Sequence, residues 1–190
     1  MLRTLFLLML LLLPAFGVHR GMMNISNLDV EVDVAFDIGQ FLDGYAIDSY
    51  FVGVSAISTD DGRGPRLWAL DFLYTSDIPE FDGVRMGVGV KLISSNYNGL
   101  YFLSLPVGLD MEYRVFKNGI PFFATGSLFF APISLSFSDA GGYFEFRTGV
   151  AYEVFDHMRI LFDWRTLHTN YKTTSMLFNQ TFYGGMRVGF

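Results

Sequence analysis

The chain has no cysteine among its 190 residues. That excludes a disulfide framework and an acylated lipoprotein, which needs a cysteine to carry its lipid. Charge is scarce: only 17% of residues are Asp, Glu, Lys or Arg, and the formal net charge is −6 with no basic block, which gives nucleic-acid binding no footing. Histidine occurs three times. Beyond the first seventeen residues there is no long apolar run, so a bundle of membrane-spanning helices is excluded.

What is present sits first at the two ends. Met1–Thr4 is a short basic segment, Leu5–Leu13 is almost wholly apolar, Pro14 breaks it, and Ala15-Phe16-Gly17 offers small residues for cleavage. This is the pattern of a secretory signal peptide over residues 1–17, leaving 18–190 as one domain; the apolar run is well short of the ~20 residues of a spanning helix. At the other end the last residues alternate. Phe182, Gly184, Met186 and Val188 fall on one side of a strand, Tyr183, Gly185, Arg187 and Gly189 on the other, and Phe190 closes the chain. A closing strand of this kind, with Phe182, Met186, Val188 and Phe190 as its signal, is similar to what the barrel-assembly machinery reads in bacterial outer-membrane barrels.

Alternation of period two continues inward. Leu28, Val30, Val32, Val34, Phe36 and Ile38 oppose Asp29, Glu31, Asp33, Ala35 and Asp37, a separation no amphipathic helix produces. Further strands are predicted at 48–58, 66–76, 84–94, 100–116, 121–131, 142–155, 158–168 and 179–190. Their apolar rows face one way, as in Trp68, Leu70, Phe72 and Tyr74, and their charges the other, as in Arg85 and Lys91, in Glu145, Arg147 and Glu153, and in Arg159, Asp163 and Arg165. These nine segments, together with 51% hydrophobic residues, 20 glycines and a wealth of aromatics, predict an all-β antiparallel transmembrane β-barrel. An even count implies ten strands, with eight as the alternative; the missing one lies in Met22–Ser26 or between Ile38 and Asp48. Short turns at 155–157 and 117–119 are expected in the periplasm, longer loops at 59–65, 94–99, 132–142 and 167–179 outside. Trp68, Tyr74, Tyr101, Tyr113, Tyr152, Trp164 and Phe190 are candidates for aromatic girdles at the two membrane interfaces.

The run from Pro121 to Arg165 combines an aromatic strand ending in Ala131-Pro132, the triplet Leu135-Ser136-Phe137, an acidic-aromatic strand, and a strand ending in an aromatic and Arg165. With Gly87-Val88-Gly89-Val90-Lys91 and Leu105-Pro106-Val107-Gly108 upstream, it resembles the YfaZ outer-membrane family. The resemblance implies a small barrel and brings no catalytic residues.

Candidate chemistry lies in the inward charges: Asp29, Glu31, Asp33, Asp37, Arg85, Lys91, Glu145, Arg147, Glu153, Arg159, Asp163, Arg165 and Arg187. The first strand, closing beside the last, would bring its acids near Arg187. Mixed signs in a narrow lumen must pair, which predicts a side-chain-filled interior and a structural or interaction role. The alternative is a narrow, weakly cation-preferring pore lined by surplus acids. A lipid-modifying enzyme would need His168 to meet Ser175 and Asp163 at the outer rim, and no spacing requires it. His19 and His157 fall beside the cleavage site and in a turn. Asp60-Asp61-Gly62 lacks the ligand series of a calcium loop, and Gly87-Val88-Gly89 precedes no helix that would make it a phosphate loop. No cofactor is expected. The expected surroundings are outer-membrane lipid, lipopolysaccharide touched by Arg63 and Arg66, and the assembly machinery. A soluble lipocalin-like carrier is disfavoured because water would face the apolar rows.

Overall fold

The computed structural model describes residues 20–41, 49–59, 65–116 and 119–189. The signal segment, His19, the Asp60–Gly64 stretch with Arg63, the Lys117-Asn118 turn residues and Phe190 lie outside the described residues. Two single 3-10 turns, Gly39–Phe41 and Ile133–Leu135, interrupt a run of strands: β1 (Arg20–Ile25), β2 (Asp29–Asp37), β3 (Tyr50–Thr59), β4 (Arg66–Asp77), β5 (Val84–Tyr97), β6 (Leu100–Ser104), β7 (Val107–Arg114), β8 (Phe122–Ala131), β9 (Ser136–Ser138), β10 (Ala140–Phe155), β11 (Met158–Tyr171) and β12 (Ser175–Gly189). All pairings are antiparallel, the order runs β4-β3-β2-β1-β12-β11-β10-β8-β7-β5, and β4 also pairs with β5, so the sheet closes on itself. Closure joins the strands of this order into a ring, so that their backbone groups pair round the wall.

The wall has ten strands, because β6 and β7 are one strand with a break. Both pair with β5 in a single register, Ile93 opposite Ser104 and Val90 opposite Val107. Pro106 has no N–H to give the ladder, although its carbonyl accepts from the Lys91 amide at 2.9 Å. Above the break β6 takes the three-residue β9 as its second neighbour, and below it β7 takes β8. The expected ten strands are found, and the tenth is β1, in the Met22–Ser26 region. This alters one contact: β1, not the acidic strand, lies beside β12, and β2 follows it.

Both ends of the chain's strand run, Arg20 and Gly189, lie at one end of the barrel, here the terminal end; the other is the loop end. Two of the expected loops, 94–99 and 167–179, are shorter than the sequence suggested. β5 runs on to Tyr97 and turns through Asn98 (φ 50°) and Gly99 (φ 80°), the left-handed pair of a tight hairpin. β11 and β12 run through most of 167–179 and leave residues 172–174 between them.

Alternation holds round the wall. Phe182 is 60% exposed and its neighbour Tyr183 1%. The outward rows of Trp68, Leu70 and Phe72, of Val88 and Leu92, of Leu109 and Met111, and of Ile160 and Phe162 form a continuous apolar surface. Tyr74, Tyr101, Tyr113 and Tyr152 are exposed on that outer face, and Trp164 lies edge-on to Phe146 at 6.0 Å. Among the described residues no helix is long and apolar enough to cross a membrane, which says nothing of crossing by strands.

Candidate functional site

The lumen is layered. At the loop end it is filled by an apolar plug: Ile57, Leu67, Ile93, Phe102, Phe129, Tyr143, Leu167 and Tyr171 are buried together, with Met176 and Phe178 packed against them. Phe102 meets Tyr171 edge-on at 5.3 Å. A register shift after Leu167 puts Phe178 beside Asn179 on the inner side of β12, an extra residue that turns the hairpin over the plug.

Beneath the plug lies a buried ion network drawn from six strands, β1, β2, β5, β10, β11 and β12. Arg165 on β11 is 0% exposed. Its guanidinium donates to Glu31 Oε1 at 2.8 Å and to the Tyr183 hydroxyl, lies 3.7 Å from Asp29, and sits 4.5 Å from the Tyr183 ring centroid. Arg147 on β10 donates to the same Glu31 at 2.7 Å, and Asn24 Nδ2 adds a third donor at 2.8 Å. Glu31 therefore serves two guanidiniums and an amide. Asn179 Nδ2 donates to Asp29 and, at 2.7 Å, to the Tyr183 hydroxyl. On the opposite side Glu145 accepts from Lys91 at 2.8 Å and from the Tyr143 hydroxyl at 3.0 Å, while the Lys91 ammonium stands 4.0 Å from the Phe129 ring centroid. Asp163 stands 4.0 Å from Arg147. Charges buried this deeply are tolerable because they are paired and hydrogen-bonded.

Below the network the lumen opens into a polar chamber of about 100 Å³, lined among others by Asp33, Asp71, Lys91, Asp110 and Asp163. Inward glycines make the room. A Cβ at Gly53 would meet Asp71 Oδ2 at 2.6 Å, and one at Gly149 would run into Asp163 Oδ1 and the Phe162 carbonyl. A larger vestibule of about 400 Å³ follows at the terminal end, lined by Arg20, Arg85, Glu112, Glu153, His157, Arg159 and Arg187 among others. There Arg159 donates to Glu112 at 2.8 Å and to Glu153 at 2.9 Å.

Of the expected network, Asp29, Glu31, Lys91, Glu145, Arg147, Asp163 and Arg165 converge in the middle layer, and Glu153, Arg159 and Arg187 meet at the vestibule. Asp33 lines the chamber without an ion pair to Arg20 or Arg187, Asp37 accepts from the Gly39 amide at 2.8 Å at the end of its strand, and Arg85 pairs with exposed Asp77 at the rim, 3.1 Å away. The filled lumen holds for the loop-end half; the terminal half is open. Arg20, Asn24, Asp71, Glu112, Tyr143, Asn179 and Tyr183 join the lumen groups without having been named among the expected network. For Asp71, Glu112 and Tyr183 inward parity on a strand was the available signal; Arg20 and Asn24 sit on the strand that alternation did not reveal.

The structure does not assemble His168, Ser175 and Asp163. The His168 ring lies on the outer face, 3.3 Å from Thr166 Oγ1 and 6.2 Å from the Phe144 ring; Ser175 donates to Asn170 at 2.7 Å; Asp163 is buried in the lumen. Among the described residues no group of three or more His, Asp or Glu is placed to hold a metal ion.

No family model and no curated protein matches the chain. Among solved structures it is similar to KdgM porin, with a TM-score of 0.49 and 9% identity over 91% of this chain and 99% of that one. A second KdgM porin structure, in complex with disordered oligogalacturonate, gives a TM-score of 0.48 at 9% identity over the same shares, 91% and 99%. A triple mutant of the Rhodopseudomonas blastica porin gives 0.27 at 9% identity, over 86% of this chain and 56% of that chain.

Proposed function

We propose that the chain is a small outer-membrane β-barrel of a Gram-negative bacterium, exported by a cleaved signal peptide, with a structural or interaction role and a lumen that does not conduct. The apolar plug carries this reading. Phe102, Phe129, Tyr143 and Tyr171 fill the loop end with buried rings, and an ion crossing there would have to leave its hydration shell with few polar groups in exchange. The outward face supports the membrane setting. A continuous apolar belt in water is an aggregation liability, whereas in hydrocarbon a closed ladder with apolar outward rows is a stable spanning structure. The lipid, lipopolysaccharide and assembly-machinery partners, the role of Phe182, Met186, Val188 and Phe190 as the assembly signal, and kinship with the YfaZ family belong to the same proposal. It includes no catalytic step, in keeping with the separation of His168, Ser175 and Asp163.

Single-channel recording of the refolded barrel in planar bilayers tests it: a flat trace is expected, and reproducible unitary steps would overturn it. Such steps would favour a narrow pore, for which the polar chambers of about 100 and 400 Å³ on the terminal side speak. A heat-modifiability gel tests the location separately. Unboiled protein from the outer-membrane fraction should migrate apart from boiled protein, and absence from that fraction would sink the membrane assignment.

A further inference from the structure

At the waist between the two lumen chambers two arginines are left with incomplete pairing, although carboxylates line both chambers. Arg20, Asp110 and Arg187 line both the chamber of about 100 Å³ and the vestibule of about 400 Å³. Three arginines stand on neighbouring inward positions of consecutive strands. Arg159 on β11 is directly opposite Arg187 on β12. Arg187 is opposite Met22 on β1, and Arg20 is opposite Gly189, which makes Arg20 and Arg187 diagonal neighbours at roughly 7–8 Å between backbones. Like charges so placed repel unless anions lie between them.

The anions the chain supplies are unevenly shared. Arg159 takes Glu112 at 2.8 Å and Glu153 at 2.9 Å. Among the described residues Arg187 comes within ion-pair distance of one carboxylate, that same Glu112, at 3.6 Å from an oxygen that already accepts from Arg159 at 2.8 Å. Its Nε is buried without a hydrogen-bond partner, and its Nη2 has only the Met22 sulfur at 4.0 Å. Arg20 rests over the Phe51 ring at 5.0 Å and has no carboxylate within ion-pair distance among the described residues. Asp33 on β2 and Asp71 on β4 line the same chamber as the two arginines without an ion pair to either. We propose that Arg20 and Arg187 form a binding site for a small oxyanion, the phosphate or carboxylate group of a soluble ligand that enters through the terminal-end vestibule.

The chemistry fits the donors. Guanidinium N–H groups present a planar fork matched to an oxyanion, and charge-assisted bonds of this kind are the strong ones. A bound anion would fill the open donor of Arg187 and screen it from Arg20 and Arg159. Asp110 faces the same waist from β7 and gives the site a polarity: the anionic group lies on the β12–β1 wall, and any cationic group of the ligand lies toward β7. This site is independent of whether the plug conducts.

Thermal unfolding of the full refolded barrel in detergent, at constant ionic strength, tests it, with sodium chloride exchanged stepwise for sodium phosphate or, separately, sodium acetate. Ligand bound only to the folded state raises the midpoint with concentration. The expected result is a saturable rise with one of these anions over chloride, which also identifies the group; the rise should vanish in Arg20→Gln and in Arg187→Gln and persist in Arg85→Gln, which removes a vestibule arginine already paired with Asp77. Equal midpoints in all three salts would overturn the site, as would a rise that survives Arg20→Gln. Should Arg187→Gln fail to refold, Arg20→Gln, near the mouth, decides alone.

Discussion

Glu31 is the residue on which the buried network turns, because two guanidiniums and an amide donate to its two oxygens. Glu31→Gln keeps the shape and removes the charge, leaving Arg147 and Arg165 buried with one shared counter-charge fewer. Urea refolding titrations should show a loss of ~3–5 kcal/mol, the scale for breaking a buried pair from one side; a loss under ~1 kcal/mol would mean water already screens the network. Glycine supplies a second comparison on adjacent positions of β12. A Cβ at Gly185 would run into Asn24 Oδ1 and the Met23 carbonyl, while one at Gly184 meets nothing within 4 Å. Gly185→Ala should cost about 1–3 kcal/mol by overpacking, and Gly184→Ala should refold with an unchanged midpoint. The sequence made the sign and the face of these residues readable, since parity puts Glu31, Arg147 and Arg165 inside. It could not say that Glu31 meets Arg165, 134 positions away, because that pairing depends on closure and on strand stagger, which no local pattern encodes.

Elements were legible in proportion to the contrast between their faces. β2 sets acids and Ala35 against Val and Phe, and its bounds, Asp29–Asp37, differ from expectation by one residue at each end. β1 gives no such contrast: Arg20, Met22 and Asn24 face inward, Gly21, Met23 and Ile25 outward, and methionine falls on both sides. Pro106 was visible, but the alternation of Leu103, Leu105, Val107 and Leu109 runs unbroken across it, so one long strand was expected where the ladder is interrupted. Turn chemistry is the other local code. Asn98 and Gly99 both hold positive φ between β5 and β6, and Gly99→Ala should destabilise the barrel by ~1–2 kcal/mol, the penalty of a Cβ in the left-handed region. An unchanged urea midpoint would show that this hairpin adopts another turn in solution.

For the molecule as a whole, the outward belt makes a depth-dependent prediction. Val88 lies inside β5, the fifth of its fourteen residues, and is 54% exposed on the outer face; Phe155, 67% exposed, closes β10 beside the terminal-end turn. Val88→Arg should cost ~2–4 kcal/mol in lipid and Phe155→Arg close to nothing; equal costs would contradict the assignment of this face to hydrocarbon. The plug gives a companion test. Phe102→Ala with Tyr143→Ala removes two buried rings from one layer, and bilayers holding this variant should show unitary steps that the parent lacks. The ring itself is uneven. β11 and β12 share thirteen paired positions, but β1 and β12, where the two ends of the chain meet, share six. The seam thus ties with β1–β2, also six pairs, as a short ladder of the wall, and it is the pairing with the longest sequence separation, whose formation must wait for the first and last strands to be brought together. Amide exchange should report it: protons of Arg20–Ile25 and of Gly184–Gly189 facing them should be replaced first, while the β10–β11–β12 arc stays protected, so that the barrel breathes as a hinge along one line and not as a loosening of the whole wall.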